Sequence, residues 1–275
     1  MLYYKEYIHH PESDWVVFIH GAGGSSAVWY KQLKDFKQHF NLLFIDLRGH
    51  GKSANLSGKD DGKDYSFEFI ASDIVEVLDH LKLAKVHLVG VSLGTIIVRQ
   101  LGDMITDRIK SMILVGAITH FNIKSRFWVA MGRMCKNFVP YMWLYRLFAF
   151  VIMPAKNHKE SRIVFIQEAQ KLCQREFLRW FKLTGQMTGL FKKFDVHLPM
   201  IPILYVMGDQ DHMFLDPIKR MVDNVKNAAL VVVEECGHVV NIEQAQAFND
   251  VVISYIKDLK SNKKTSYDGL PLALD

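Results

Sequence analysis

Cysteine is scarce in this 275-residue sequence, and long uncharged apolar runs are missing from it. Its three cysteines, Cys135, Cys173 and Cys236, are odd in number and lack metal-ligand spacing, which favours reduced thiols over a secreted fold held by disulfides. The most apolar stretch, residues 127–153, is interrupted by three basic residues and a proline. We therefore expect no transmembrane helix.

Other familiar signals are also missing. Residues 1–10 lack the apolar run of a signal peptide, so we predict a cytoplasmic location. The net charge of +5 comes without zinc-finger spacing, an RNA-binding aromatic signature or a compact basic run, which argues against a nucleic-acid partner. Residues 21–24 are glycine-rich but have neither G-x-G-x-x-G spacing nor a Walker lysine. We predict no cofactor and no metal.

The composition, with 49% hydrophobic and 23% charged residues, is typical of a globular protein, and the length suits one domain or one core with an insertion. Short apolar runs alternate with amphipathic segments. Strands are predicted at residues 15–20, 42–46, 86–91, 109–116, 201–207 and 230–233, and helices at 25–37, 66–81, 92–104, 216–225 and 241–259. Because these strands are apolar on both faces, the pattern predicts an α/β fold with a mostly parallel sheet flanked by helices.

One long segment interrupts this alternation. Residues 119–198 carry helical patterns rich in Phe, Trp, Tyr and Met without an intervening strand, and they are predicted to form a helical insertion. Residues 1–118 and 199–260 then form the core. The polar end of the chain, residues 261–275, is predicted to be a mobile tail.

A serine lies at a predicted strand-to-helix junction. Residues 90–94, Gly-Val-Ser-Leu-Gly, fit G-x-S-x-G, and a strained turn at such a junction presents the serine hydroxyl above the strand end. Glycines at 90 and 94 avoid clashes with the neighbouring backbone. We interpret Ser92 as a nucleophile rather than as a structural turn serine.

A serine nucleophile needs a base, and the base needs a carboxylate that orients it. His238 follows the predicted strand at 230–233, so we expect it at the same sheet edge as Ser92; a solvated loop histidine is the alternative. Asp209 and Asp211 follow the strand at 201–207. We favour Asp211 over Asp209 as the acid, because the turn needs a few residues before a side chain can face His238.

Five segments, in this order, resemble the α/β-hydrolase superfamily, and in particular its lidded esterase and C-C hydrolase branch, over residues 14–260. They are residues 20–24 (HGAGG), residues 46–53 (DLRGHGKS), residues 90–94 (GVSLG), Gly208 with Asp211, and Gly237 with His238. The resemblance implies the α/β-hydrolase fold with a triad in the chain order serine, acid, histidine. It also prefers Asp211, three residues after a glycine, as the acid.

The same resemblance implies roles for residues outside the triad. Backbone N–H groups of Ala22 and Leu93 would form the oxyanion hole. His20, Arg48 and His50 are expected to brace the loops around the nucleophile. Two further histidines stay open from the sequence: His212 is an exposed neighbour of Asp211 or a donor to it, and His87 is a core or edge residue of its strand.

In similar enzymes the insertion forms a lid over the nucleophile and shapes an apolar pocket. The side chains predicted to line that pocket are Phe127, Trp128, Met131, Met142 and Trp143. Packing of the lid onto the core is the alternative use of these side chains. Because no Asp or Glu occurs between Asp107 and Glu160, a basic, aromatic lid is also hypothesised to contact anionic membrane.

The expected function is hydrolysis of small-molecule carboxylic esters with an apolar acyl or alcohol part, through an acyl-enzyme on Ser92. The same triad serves thioester hydrolysis, C-C bond cleavage and cofactor-free perhydrolysis. Some members of the superfamily are slow-turnover receptors or signalling proteins, which is a different class of function. Epoxide and haloalkane hydrolysis are disfavoured, because those enzymes carry an aspartate at the position of Ser92.

Overall fold

The computed structural model describes residues 1–56, 65–196, 199–223 and 225–261, so the predicted tail lies outside the described residues except for Ser261. Within these ranges a seven-stranded sheet runs in the order β1-β3-β2-β4-β5-β6-β7. Its strands are β1 (Tyr4–Tyr7), β2 (Trp15–Ile19), β3 (Asn41–Ile45), β4 (Val86–Val91), β5 (Ile109–Val115), β6 (Ile203–Gly208) and β7 (Ala228–Val233). Neighbouring strands are parallel except for β1 and β3, which confirms the predicted mostly parallel sheet.

The edge strand β1 was not predicted from the sequence. Its residues read Tyr-Lys-Glu-Tyr and none of them is fully buried, so the strand lacks the apolar run that marks the others. It pairs antiparallel with β3, Tyr4 opposite Ile45 and Tyr7 opposite Leu42. Backbone pairing with β3 therefore determines the position of β1, and no sequence pattern within β1 does.

Eleven α-helices lie within the described residues. They are α1 (Tyr30–Phe36), α2 (Phe67–His80), α3 (Leu93–Met104), α4 (Ile123–Cys135), α5 (Tyr141–Ile152), α6 (Lys159–Ala169), α7 (Gln174–Lys182), α8 (Met187–Val196), α9 (Leu215–Val222), α10 (Val240–Glu243) and α11 (Ala245–Ser261). Side chains of α1, α10 and α11 fill the apolar core on one face of the sheet, and those of α2, α3 and α9 fill it on the other. This two-sided cover explains why the central strands are apolar on both faces.

Helix α2 begins at the capping residue that the sequence predicts. The Ser66 hydroxyl accepts a hydrogen bond from the N–H of Phe69 at the start of α2, at 3.0 Å. The predicted helix at 25–37 begins as a 3-10 turn, Ser26–Trp29, before α1. None of the helices in the described ranges combines the length and the apolarity that spanning a membrane requires.

Five helices, α4 to α8, lie between β5 and β6 and form the observed structure of the predicted insertion. They have a small apolar core of their own, which includes Leu144, Tyr145, Leu172 and Phe177. Gly132 of α4 packs closely against the rings of Phe148 and Phe181, so three of these helices are in direct contact. Side chains of α7 and α8, including Trp180 and Phe191, also join the apolar core of the sheet.

Candidate active site

Ser92 stands between β4 and α3 in a conformation that few non-glycine residues adopt. Its φ is 54° and its ψ is −121°, whereas the flanking strand and helix are regular. A side chain at Gly94 would overlap the carbonyl oxygens of Ile19 and His20, so the turn requires glycine there. The neighbouring strand thus holds the turn in place, and the strain lifts the Ser92 hydroxyl above the strand end.

Two further strand ends bring side chains to Ser92. His238 follows β7, and its Nε2 lies 3.0 Å from the Ser92 Oγ. Asp211 follows β6, and its Oδ2 lies 2.8 Å from the His238 Nδ1. Because β4, β5, β6 and β7 are consecutive parallel neighbours, their carboxyl ends share one edge of the sheet. Residues separated by up to 146 positions in the chain meet there within hydrogen-bonding distance.

The carboxylate of Asp211 is fixed from both sides. Its Oδ1 accepts hydrogen bonds from the N–H groups of Met213 at 3.3 Å and Phe214 at 3.1 Å, while Oδ2 faces the imidazole. Asp211 and His238 are both almost fully buried. A buried carboxylate on Nδ1 holds the proton on that nitrogen, which leaves Nε2 free to accept the serine proton.

Asp209 has a different task from Asp211. Its Oδ1 accepts the N–H of Cys236 at 3.0 Å, which anchors the loop that carries His238. Gly208, at the end of β6, passes so close to the Cys236 and Gly237 carbonyls that a side chain there would overlap them. Asp209 therefore holds the backbone of the histidine loop and does not contact the imidazole.

The loop after β2 is braced against Ser92 by histidines. A Cβ at Gly21 would lie 3.1 Å from the Ser92 Cβ and 3.7 Å from the Leu93 nitrogen, so this loop passes directly over the Ser92 turn. His20 accepts the N–H of Leu47 at 3.0 Å through Nε2, and its Nδ1 is 2.8 Å from the Gly21 carbonyl oxygen. Since Nε2 accepts, Nδ1 carries the proton and donates it.

His50 supports the same loop from the other end. It accepts the N–H of Gly23 at 3.1 Å, and its Nδ1 lies 3.0 Å from the Arg48 carbonyl oxygen. Burial lowers the pKa of His50 to about 3 and also lowers the pKa of His20. The Arg48 guanidinium makes two hydrogen bonds to Asp73, at 2.8 and 2.7 Å. His20 and His50 thus hold loop backbone in place, whereas Arg48 ties its loop to Asp73 of α2.

Comparisons with known proteins agree with this geometry. Residues 14–133 match a family model described as the alpha/beta hydrolase fold. A hydrolase from Oleispira antarctica superposes with a TM-score of 0.80 at 18% identity, covering 93% of this chain and 94% of that one. The chain has the α/β-hydrolase fold. The predicted fold and the predicted resemblance to α/β hydrolases are thereby confirmed.

Curated relatives of this chain are distant but match over nearly their whole length. A putative carbamate hydrolase RutD of Stutzerimonas stutzeri is 25% identical over 257 residues, covering 90% of this chain and 93% of the relative. A pimeloyl-[acyl-carrier protein] methyl ester esterase of Aeromonas salmonicida is 25% identical over 249 residues, covering 88% and 94%. These two relatives are thus a putative hydrolase and a methyl ester esterase.

Two cavities reach Ser92. The larger, of about 190 Å³, also borders Ala22 and Leu93 and is otherwise lined mainly by apolar side chains of the insertion. The smaller, of about 60 Å³, borders His238 and Ser161. The Ser161 hydroxyl oxygen is buried and, among the described residues, has no hydrogen-bond partner. The site is thus divided into a roomy apolar side and a small side with one unsatisfied polar group.

The structure corrects the predicted pocket lining. Trp128 lines the larger cavity as predicted, but Phe127 is 62% exposed and Trp143 is 69% exposed, so both face away from it. Met131 and Met142 are half-buried and, within the described ranges, are not among the lining residues either. The lining side chains that the sequence did not single out include Tyr145, Phe148, Phe165, Phe177, Trp180 and Phe214. The aromatic composition signalled a pocket but not which face of each helix lines it.

Contacts that support the histidine loop were also missed from the sequence. Glu243 of α10 accepts the N–H of Gly237 at 2.5 Å, and its Oε2 lies 3.7 Å from the buried His158 Nε2 of the insertion. His158 also lies 2.9 Å from the Gln210 Oε1. No local motif marks these residues, since they meet only in the folded chain. His212 is exposed, and His87 is a core residue that contacts the Ser111 hydroxyl at 2.7 Å.

Proposed function

We propose that this protein is a serine hydrolase that cleaves carboxylic esters with an apolar acyl or alcohol part. The contact of His238 with both the Ser92 hydroxyl and the Asp211 carboxylate carries this proposal. As Ser92 Oγ attacks the ester carbonyl carbon, its proton moves to Nε2 of His238. The backbone N–H groups of Ala22 and Leu93 stabilise the oxyanion that forms.

The reaction then proceeds in two halves. His238 returns the proton to the alcohol oxygen as the C–O bond of the ester breaks, which leaves the acyl group on Ser92. A water molecule gives a proton to His238 and attacks the acyl carbon, and the acid leaves as Ser92 regains its proton. Asp211 stays ionised throughout and stabilises the imidazolium.

The cavities support the proposed substrate class. An apolar group of the ester fits the larger cavity, which is closed by α4, α5 and α7 of the insertion, so we propose that the insertion acts as a lid over the site. The remaining, smaller group would lie on the His238 side, where the cavity measures about 60 Å³. A methyl ester esterase among the relatives agrees with an ester that has one large and one small part.

A fluorophosphonate probe with intact-mass and peptide analysis tests the proposed nucleophile. We expect the folded protein to be labelled on Ser92 and the Ser92→Ala variant to stay unlabelled. Labelling elsewhere, or none in folded protein, would refute the assignment. Turnover of p-nitrophenyl esters from acetate to palmitate, with an aryl thioester beside them, then separates esterase from thioesterase activity. Saturable ligand binding without turnover would instead favour a receptor.

A further inference from the structure

Helix α4 carries a second apolar stripe that faces away from the cavity. Ile123, Phe127 and Met134 are spaced four and seven residues apart, so they fall on one side of the helix within about 40°. Their exposures are 87%, 62% and 76%. The opposite side is buried, with Ser125 and Gly132 at its centre. A surface helix with one buried face normally presents polar residues on the other, and α4 does not.

Helix α5 repeats this arrangement. Trp143, Leu147 and Phe150 are exposed and spaced four and three residues apart, whereas Tyr145 and Phe148 on the other side border the cavity. Since α4 and α5 line the same cavity from their inner sides, their exposed stripes both point outward. We call the stripes Ile123, Phe127, Met134, Trp143, Leu147 and Phe150 the outer face.

The charged residues of α4 and α5 are all basic. Lys124, Arg133 and Arg146 lie beside the stripes and are exposed, and neither helix contains an acidic residue. The next acidic residue along the chain, Glu160, forms an ion pair with Lys31 of α1 at 2.8 Å. Exposed aromatic and aliphatic groups with basic residues on either side are the pattern of helices that lie in a membrane interface.

We propose that the outer face docks the protein on the surface of an anionic lipid bilayer. Its apolar side chains would enter the boundary between headgroups and acyl chains, and its cations would contact the headgroup phosphates. Charge complementarity selects this partner, because a zwitterionic bilayer has no net negative charge to attract the flanking cations and an apolar protein groove offers them no anionic group. The proposal concerns binding and does not depend on the proposed ester hydrolysis.

Flotation of the full-length protein with vesicles tests the docking. The vesicles are phosphatidylcholine alone or with about one-third phosphatidylglycerol. We expect binding to the anionic vesicles only, and its loss at high ionic strength. Each cation near the surface contributes about fivefold to the vesicle partition coefficient. The partition coefficient should therefore fall by at least tenfold in the triple variant Lys124→Gln/Arg133→Gln/Arg146→Gln. Ile123→Ser/Phe127→Ser/Met134→Ser should abolish binding with the charge unchanged.

Matched variants keep the test specific to this face. A control variant removes three exposed cations outside this face and should bind like wild type: Lys34→Gln/Lys85→Gln/Lys257→Gln. Thermal melting is used to check that every variant is folded. Equal binding to both vesicle types, no binding to either, or equal losses in the two cation variants would overturn the proposal. Light scattering that shows a dimer, converted to a monomer by the Ile123→Ser/Phe127→Ser/Met134→Ser variant, would assign the face to a second copy instead.

Discussion

The two sides of the cavity above Ser92 are built in different ways. On the sheet side, backbone turns at strand ends hold Ser92, Asp211 and His238 through short hydrogen bonds and close glycine packing. On the insertion side, aromatic and aliphatic side chains contact one another with few polar constraints. In the proposed function, the sheet side fixes the geometry that bond cleavage needs, and the insertion side sets the shape that a substrate must have. Substitutions on the two sides should therefore fail in different ways.

The largest effect is expected on the sheet side, at the proposed nucleophile. Ser92→Ala should reduce kcat for any accepted ester by at least about 10⁴-fold, because no hydroxyl remains to form the acyl-enzyme. The double variant Ser92→Ala/His238→Ala should be no slower than the single one, since the two groups act as a unit. Single-turnover kinetics with a p-nitrophenyl ester measures both. Additive losses would contradict the proposed unit.

The two aspartates give the next largest contrast. Asp211→Asn should lower kcat by about 10³- to 10⁴-fold, because an amide on Nδ1 no longer favours the productive tautomer or stabilises the imidazolium. Asp209→Asn is the matched control, because an amide oxygen can still accept the Cys236 N–H. Its kcat should stay within about tenfold of wild type. Similar losses in the two variants would remove the distinction between them.

On the insertion side, the expected effect depends on the substrate. Trp128→Ala should reduce kcat/KM for a long-chain ester by about 30- to 100-fold, because it removes buried apolar contact area, and should leave acetate turnover nearly unchanged. Phe127→Ala, at the neighbouring exposed position, should change neither value. A chain-length series of p-nitrophenyl esters makes this comparison. A loss that is the same for short and long esters would place Trp128 outside the substrate path.

The smallest expected effect is on the free energy of unfolding, through the buried His87 of β4. Burial lowers the pKa of His87 from its ordinary value of 6.5 to about 4, so between these pH values the unfolded chain binds more protons than the folded one. The free energy of unfolding should therefore fall as the pH drops from 6.5 towards 4. His87→Gln should remove about 2 kcal/mol of that fall at pH 4.5.

Urea unfolding at pH 7 and pH 4.5 measures the contribution of His87. The exposed His212→Gln variant serves as control and should show the same acid dependence as wild type. Parallel curves for wild type and His87→Gln would show that this imidazole does not carry the effect.

The sheet side could be predicted because its signals are local. Ser92 follows an apolar strand directly and His238 follows one after a short turn, and parallel strands end at the same edge, so their meeting follows from the pattern. The insertion side could not be predicted in the same detail. Phe127 and Trp128 are adjacent and both aromatic, yet a rotation of about 100° per residue sends one to solvent and the other to the cavity.

Other features depend on contacts that no local pattern encodes. Strand β1 is placed by pairing with β3, and its own residues carry no strand signal. Glu243 reaches Gly237 only because α10 packs beside the histidine loop. Both aspartates follow the same strand, so the preference for Asp211 over Asp209 came from the length of the turn and from the family resemblance. For β1 and for Glu243, the contact that fixes the position is made with residues of another element, which a local sequence pattern does not reveal.

The ring of Tyr145 lies against Gly23, so closely that a side chain at this glycine would overlap it. Gly23 is the residue after Ala22, whose N–H is a proposed oxyanion donor. Through Tyr145, helix α5 therefore supports the loop whose N–H group would bind the carbonyl oxygen. An ester too large for the cavity would displace α5 outward and with it the support of this loop. Such an ester would bind, but its turnover would be slow because the oxyanion would be less well stabilised.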